Sequence, residues 1–588
     1  MKRTCSRGHL NLFSIIFGLS GLCLTLITFE SLNLANAQED QEFKKESESS
    51  GLTQKQSSAI SEAQSKPPTP IRKVPLPPLP REISLSGVDS AQRELSFLGL
   101  FSSRSVYSNL SATGLLDDQL IGRLYGDNGS TTLDEGRLFF EQRALGFLTY
   151  QPTSVNGRAR LKVGFEIDFT FGDSANTAGS NAGGAINGDQ VNLQTKRLLV
   201  ELDLKPNMQL VVGLQPLSDS AFNPTRADPY DLLNGGGRLM FWGTDAAGVS
   251  LFGKWGEKYA RLSMFTLNLN EAAKADDVLL WMADSQFRLS LDFTLGAHAW
   301  LLSDRSGVKA GGVDSAIAEY TGATTLDLGP DQADALLTWI GVDLSYNRAR
   351  RGGRISADLA AFVNIGRFDV LSGECRDGMG DLRCPRDQNG QTTPYDSSDA
   401  DLLALLFDFQ LGYRWGRGDW DAVTLGILYA TGDNQPRDRV LSSPVTGNAF
   451  GTPGGLFAHH RMLLLFPDPR SVNRHVGLVY DPGNLGYGLQ ALTSAISGDI
   501  IAEVLNLKVG LGYAASAALP LDSGERPIGM EGNLELIYRI APFFWIGAHA
   551  AVARQGRFLE SADRVPVSSL PQGDRPWMSA LSITWIQL

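Results

Sequence analysis

The chain has 588 residues, a net charge of −12, 43% hydrophobic and 20% charged content, and 63 glycines. A modest acidic excess on a chain this long excludes nucleic acid as a partner, because that needs concentrated basic surface. Past the N-terminal region no apolar run reaches the roughly 18 residues a membrane helix requires, so if the chain spans a membrane it does so as a closed β-barrel.

Lys2, Arg3 and Arg7 precede an apolar stretch from Leu10 to Phe29, followed by Ala35-Asn36-Ala37. A basic start, an apolar centre and a small-x-small site make residues 1–37 a secretory signal peptide, with an uncleaved helical anchor as the alternative. Leu22, ahead of Cys23, is too bulky for a lipoprotein cleavage site. Residues 38–81 form a disordered, Pro-rich periplasmic linker. Its first part is rich in Glu, Lys, Ser and Gln and cannot bury enough apolar area to offset the entropy of ordering. Seven prolines within 67–80 then make it extended and semi-rigid, a spacer or a docking strip for a periplasmic partner. Residues 82–114 read as either a lead-in or a plug.

From residue 115 to 588 the pattern is that of an all-β protein, a transmembrane antiparallel up-and-down barrel. The clearest strand is Arg158 to Phe171. Ala159, Leu161, Val163, Phe165, Ile167, Phe169 and Phe171 occupy one face; Arg158, Arg160, Lys162, Gly164, Glu166, Asp168 and Thr170 occupy the other. The same period of two returns in 197–204, 208–214, 340–346, 355–364, 405–414, 505–513 and 533–540. Short connections fall at 152–157, 205–207, 256–258, 348–354, 416–419 and 541–542. Long polar stretches fall at 172–190, 216–245, 303–336, 367–400, 431–485, 518–530 and 554–575. Tight turns on one side and long loops on the other are the barrel arrangement, periplasmic and extracellular respectively. Tyr150, Trp255, Tyr259, Tyr346, Trp415, Trp420, Tyr538 and Phe543 sit beside the short turns, as a periplasmic aromatic girdle would.

Keeping all tight turns on one side requires an upward strand before 138–150, nominally at 115–125, and a downward strand within 487–496. That makes about 18 strands, with 16 as the alternative. The terminal strand, Ser579 to Leu588, contains Trp585 but closes on leucine, where outer-membrane barrels resemble one another in closing on an aromatic residue. Cys375 and Cys384 share one loop and predict a small disulfide staple in an exported protein. No further His or Cys stands near them to complete a zinc site, so no metal is expected.

In this alternation, with charged inward faces and long irregular loops, residues 115–588 resemble bacterial outer-membrane porins and, more loosely, the eighteen-stranded alginate-export barrels. The resemblance implies a passive pore for small solutes or an extended polysaccharide, in contact with outer-membrane lipid, lipopolysaccharide and the barrel-assembly machinery. It implies no cofactor, and nothing in the sequence marks a subunit interface. The candidate lumen-lining residues are Arg143, Arg158, Arg160, Lys162, Arg197, Arg414, Lys508 and Arg539, against Glu141, Glu166, Asp168, Glu201, Asp203, Asp343, Asp358, Asp408 and Glu535. Arg158, Arg160 and Lys162 are either a basic ladder for anionic solutes or a set of wall ion pairs. Two loops are candidates for folding inward: 216–237, with Arg226, Asp228 and Asp231, and 450–486, with Arg461, Asp468 and Arg470; the ordinary placement of both is outside. A plugged structural or adhesin barrel is the alternative. A barrel hydrolase ranks lower, because neither Gly-x-Ser-x-Gly nor His-Glu-x-x-His occurs and adjacent His459 and His460 would point apart in an extended segment. No catalytic residues are expected.

Overall fold

In the computed structural model the described residues are 94–112, 120–121, 130–171, 192–217, 245–268, 277–290, 292–305, 333–347, 353–370, 400–416, 421–434, 440–445, 460, 462–466, 468, 478–479, 482–519, 525–560 and 575–587. They form one antiparallel sheet that closes on itself. The strands are β1 (Leu95–Ala112), β2 (Ser130–Tyr150), β3 (Ala159–Phe171), β4 (Asn192–Lys205), β5 (Met208–Pro216) and β6 (Asp245–Trp255). Next come β7 (Lys258–Asn268), β8 (Val278–Arg288), β9 (Phe293–Asp304), β10 (Ala333–Tyr346), β11 (Ile355–Val370) and β12 (Ala400–Arg414). The last six are β13 (Ala422–Ala430), β14 (Leu489–Ile501), β15 (Leu505–Ala515), β16 (Pro527–Ala541), β17 (Phe544–Gln555) and β18 (Trp577–Gln587). Two further two-residue pieces, Leu120–Ile121 and Val440–Leu441, pair beside the ring without joining it.

Each strand pairs with its chain neighbours, and β18 pairs with β1 from Gly99↔Gln587 to Ser108↔Met578. Closure satisfies the backbone with no open edge, the condition for crossing a hydrocarbon layer with strands. The outward faces are apolar around the ring: Leu161, Leu198, Val200, Leu262, Leu336, Ile340, Leu403, Leu511, Leu534 and Leu581 are all exposed. In water this belt would be an aggregation surface; in a bilayer it is the lipid-facing band.

Among the described residues the tight turns lie at one end: Pro206–Asn207, Gly256–Glu257, 502–504 and Pro542–Phe543. Gly256 has φ of +64°, which suits glycine in so short a turn. Tyr150, Trp255, Tyr346, Trp415, Tyr538 and Phe543 are exposed at this end. Tyr259 is different. It shares the inward parity of Arg261 and Ser263 and lies under Lys254 Nζ, 5.3 Å from its ring centroid. Trp420 lies outside the described residues.

The barrel starts earlier than the sequence suggested. Its first strand is Leu95–Ala112, inside the segment read as a lead-in or plug, and 115–125 is not that strand. Ser103 and Ser105 sit on its outward face and Leu100 and Val106 on its inward one, which blurs the alternation. The extra downward strand deduced by parity is present as β14.

Candidate functional site

Period-two alternation turns half of each strand inward, and the inward residues divide by height. Near the tight turns they are polar. Farther up they turn apolar on β9, β10 and β12, while Gln215 on β5, Glu141 on β2 and Glu531 on β16 remain polar. On β9 the inward series runs from Gly296 and His298 to Trp300 and Leu302, and on β10 from Ser345 and Asp343 to Trp339 and Leu337. Along β12 it runs from Arg414 and Asp408 to Leu406 and Leu402. The sequence reading took inward faces to be polar throughout, so the apolar upper tier was missed.

That tier is covered from within. Part of the connection between β13 and β14 folds into the lumen and bonds to the wall at several points. Val445 donates to Asn364 Oδ1 (2.9 Å) and accepts from Trp339 Nε1 (3.1 Å). His460 bridges Asp408 (2.9 Å) and Thr493 (2.9 Å). Met462, Leu463, Leu464, Leu465 and Phe466 are buried in one apolar cluster with Trp339, Phe362, Leu402 and Leu428. Leu478 and Val479 donate backbone hydrogen bonds to Leu464 and Leu465. Asp468 meets Arg104 on β1 at 3.4 Å. This corrects the outside placement for 450–486 over its described part. Loop 216–237 lies outside the described residues beyond Leu217, as do Arg226, Asp228, Asp231, Arg461 and Arg470.

The strongest attachment is at Glu531 on β16. Its carboxylate accepts the backbone N–H of Leu463 (2.8 Å), Leu464 (2.9 Å) and Leu465 (2.6 Å), with Asn533 Nδ2 at 2.7 Å. Three successive amides turned to one carboxylate form an anion-binding nest, and bonds to a charged group are the stronger kind.

The lower tier is a set of ion-paired networks. Across β2–β4, Glu166 pairs with Arg143 (2.5 Å) and Lys196 (2.6 Å). Glu201 pairs with Lys162 (2.8 Å) and Arg160 (2.9 Å), and Arg160 also reaches Asp203 (2.6 Å). The basic residues Arg160 and Lys162 are therefore neutralised by the wall. Arg158 is not on it at all; it is exposed in the turn before β3. Arg197 lies over the Phe147 ring at 4.4 Å.

Across β7–β11, Arg261 Nε bonds Asp284 (2.8 Å), whose other oxygen binds His298 (2.7 Å) and Trp300 (2.9 Å). His298 then reaches Asp343 (2.8 Å), and Ser345 donates to Asp358 (2.7 Å). Across β15–β18, Lys508 binds Glu535 (2.5 Å), Glu535 binds His549 (3.0 Å) and His549 binds Ser582 (2.8 Å). Arg414 reaches the Gly353 carbonyl at 3.5 Å, and Arg539 faces inward near the turns.

The structure thus brings most of the predicted residues into separate networks, with partners from outside the expected lining set: Arg104, Arg261, Asp284, His298, Glu531 and His549. Each shares the inward parity of its strand, which was the one available signal; which residue meets which depends on register between strands. The Asp168 side chain, Cys375 and Cys384 lie outside the described residues. No cluster fit to hold a metal occurs among the described residues.

No protein-family model matches the sequence, and no curated protein matches it. Solved structures do. OccAB1 of Acinetobacter baumannii is 11% identical, with 84% of this chain and 97% of that one aligned at a TM-score of 0.43. The outer-membrane protein OpdK of Pseudomonas aeruginosa is 11% identical, over 84% of this chain and 98% of that one, at 0.42. OccK8 (OprE) of Pseudomonas aeruginosa is 10% identical, over 84% and 98%, at 0.43. Likenesses this loose carry no argument of their own, and the fold stands on the strand pairing above. They give no support to the alginate-export likeness or to passage of an extended polysaccharide.

Proposed function

We propose that this chain is an outer-membrane channel for small solutes, narrowed by the segment that folds inward between β13 and β14. The carrying observation is the charged lower tier inside a closed barrel with an apolar outer belt. Charged side chains are costly against lipid and are tolerated where they line an aqueous path. With Arg143, Arg160 and Lys162 each paired to a wall carboxylate, selectivity falls to whatever groups border the narrowed part of the lumen.

Single-channel recording of the refolded, detergent-purified protein tests this. Stable current steps are the expected result, with a reversal potential in a salt gradient that gives the sign of the controlling charge. Glu531→Ala removes the acceptor for three backbone amides and is expected to raise conductance several-fold.

The packing of Met462–Phe466 against the upper wall favours a second reading, a barrel sealed at rest. A folded wild type silent at every voltage, beside a conducting Glu531→Ala variant, would establish that reading. Silence of both would remove the channel proposal.

A further inference from the structure

We infer that Ser582, His549 and Glu535 form a nucleophilic triad on the lumen wall, able to hydrolyse small water-soluble carboxylic esters. They come from three adjacent strands, β18, β17 and β16. Glu535 and His549 are direct cross-strand partners, and Ser582 stands opposite Gly547 on the same inward face. His549 Nε2 is 2.8 Å from Ser582 Oγ, and His549 Nδ1 is 3.0 Å from Glu535 Oε2. Lys508 Nζ holds the other carboxylate oxygen at 2.5 Å. An ionised carboxylate only accepts, so Nδ1 carries the imidazole proton and Nε2 is left to take the serine proton. This is the nucleophile–base–orienter order that hydroxyl activation requires.

Two further features flank the serine. A Cβ built on Gly547 would lie 2.5 Å from His549 Nε2 and 2.6 Å from Ser582 Oγ, inside van der Waals contact, so it is the absence of a side chain at Gly547 that lets the imidazole and the hydroxyl sit together against the strand. On the other side, Arg104 of β1 is the direct cross-strand partner of Ser582. It is 5% exposed, and its Nη1 makes no hydrogen bond, Glu141 standing off at 3.6 Å. A buried guanidinium with a spare donor is suited to a developing oxyanion.

Two other histidines in the barrel lack this arrangement. His298 has a carboxylate on each ring nitrogen and so no acceptor for a proton. Asp408, His460 and Thr493 repeat the carboxylate–imidazole–hydroxyl order, but the cross-strand partners of Thr493 are Gly426 and Gly512, which offer no cation.

The chemistry balances without a co-reactant other than water. Ser582 Oγ attacks the ester carbonyl carbon as its proton passes to His549 Nε2; the carbon–alkoxy bond breaks, and the departing alcohol takes that proton. Water then attacks the acyl-serine, giving its proton to His549, and the acid leaves as Ser582 is reprotonated. Because the triad faces the lumen, its substrate is a soluble ester and not an acyl chain in the bilayer.

This inference rests on the channel reading for substrate access, so the test uses full-length protein whose conductance is recorded in the same preparation. A fluorophosphonate probe and p-nitrophenyl acetate are applied to wild type and to Glu531→Ala, the variant expected to open the lumen. Labelling mapped to Ser582, absent in Ser582→Ala and reduced about a hundredfold or more in His549→Gln, is the expected result. Glu535 acts as a positioning residue: Glu535→Gln is expected to slow labelling and shift its pH profile, with partial rescue by Glu535→Asp. Thr493→Ala is expected to label as wild type does. Failure of both the wild type and Glu531→Ala to label at Ser582, with hydrolysis equal to that of Ser582→Ala, would overturn the triad even where the channel conducts.

Discussion

At Asp284 one carboxylate serves Arg261, His298 and Trp300, all buried together. Removing one partner from a buried charge network leaves the other charge uncompensated, at a cost of about 3–5 kcal/mol. Asp284→Asn is therefore expected to lower stability by about that amount, read as a shift in the urea unfolding midpoint of the refolded barrel. Glu94 offers a gentler case at the exposed turn end. It accepts from the Thr153 hydroxyl and, at 2.8 Å, from the Thr153 N–H, and these bonds lower its pKa below the ordinary glutamate value. A carboxyl lowered on folding contributes above its unfolded value and loses that contribution as pH falls through the folded one. Hydrogen exchange at the Thr153 amide is expected to lose protection over that acidic window, and Glu94→Gln to remove the dependence.

For single strands, the decisive division is between the face that meets lipid and the face that meets the lumen. Leu262, near the middle of β7, is 61% exposed on the outer face, while its neighbours Arg261 and Ser263 point inward and are buried. Leu262→Arg would put a cation against the acyl chains and is expected to cost about 2–4 kcal/mol if that position lies near the bilayer midplane. Equilibrium folding into vesicles measures it; a change within 0.5 kcal/mol, the usual range for a neutral surface substitution, would argue against a lipid-facing position. The β-bulge between β3 and β4, where Gly164 faces Arg197 but Phe165 faces Thr195, frees Lys196 to reach Glu166. A regular alternation drawn through 192–205 does not reveal that residue's role.

For the whole molecule, closure is the property on which everything else depends. β1 carries the bonds that join β18 to β2, so a chain begun at residue 115 would leave two open edges in the membrane. The full chain is expected to show the heat-modifiable mobility of a folded barrel on a denaturing gel, and the shortened chain to lose it. A folded, closed barrel from that shortened chain would contradict the pairing described here.

The sequence by itself determined the fold class and the shared inward parity of residues such as Lys162, Glu201 and Asp343; it pointed to about eighteen strands, with sixteen as the alternative and the first strand misplaced at 115–125. Period-two patterning and turn placement are local, and they survive being read one strand at a time. Only the tertiary structure decided which charges meet, that part of 450–486 enters the lumen, and that Glu535, His549 and Ser582 share one hydrogen-bonded chain. Those facts depend on register between strands and on which apolar surfaces find one another. Met462–Phe466 is an apolar run inside a stretch whose sequence reads as a long polar loop. It became a lumen element because Trp339, Phe362 and Leu402 left an apolar tier to bury it, and because Glu531 stood where its amides needed an acceptor.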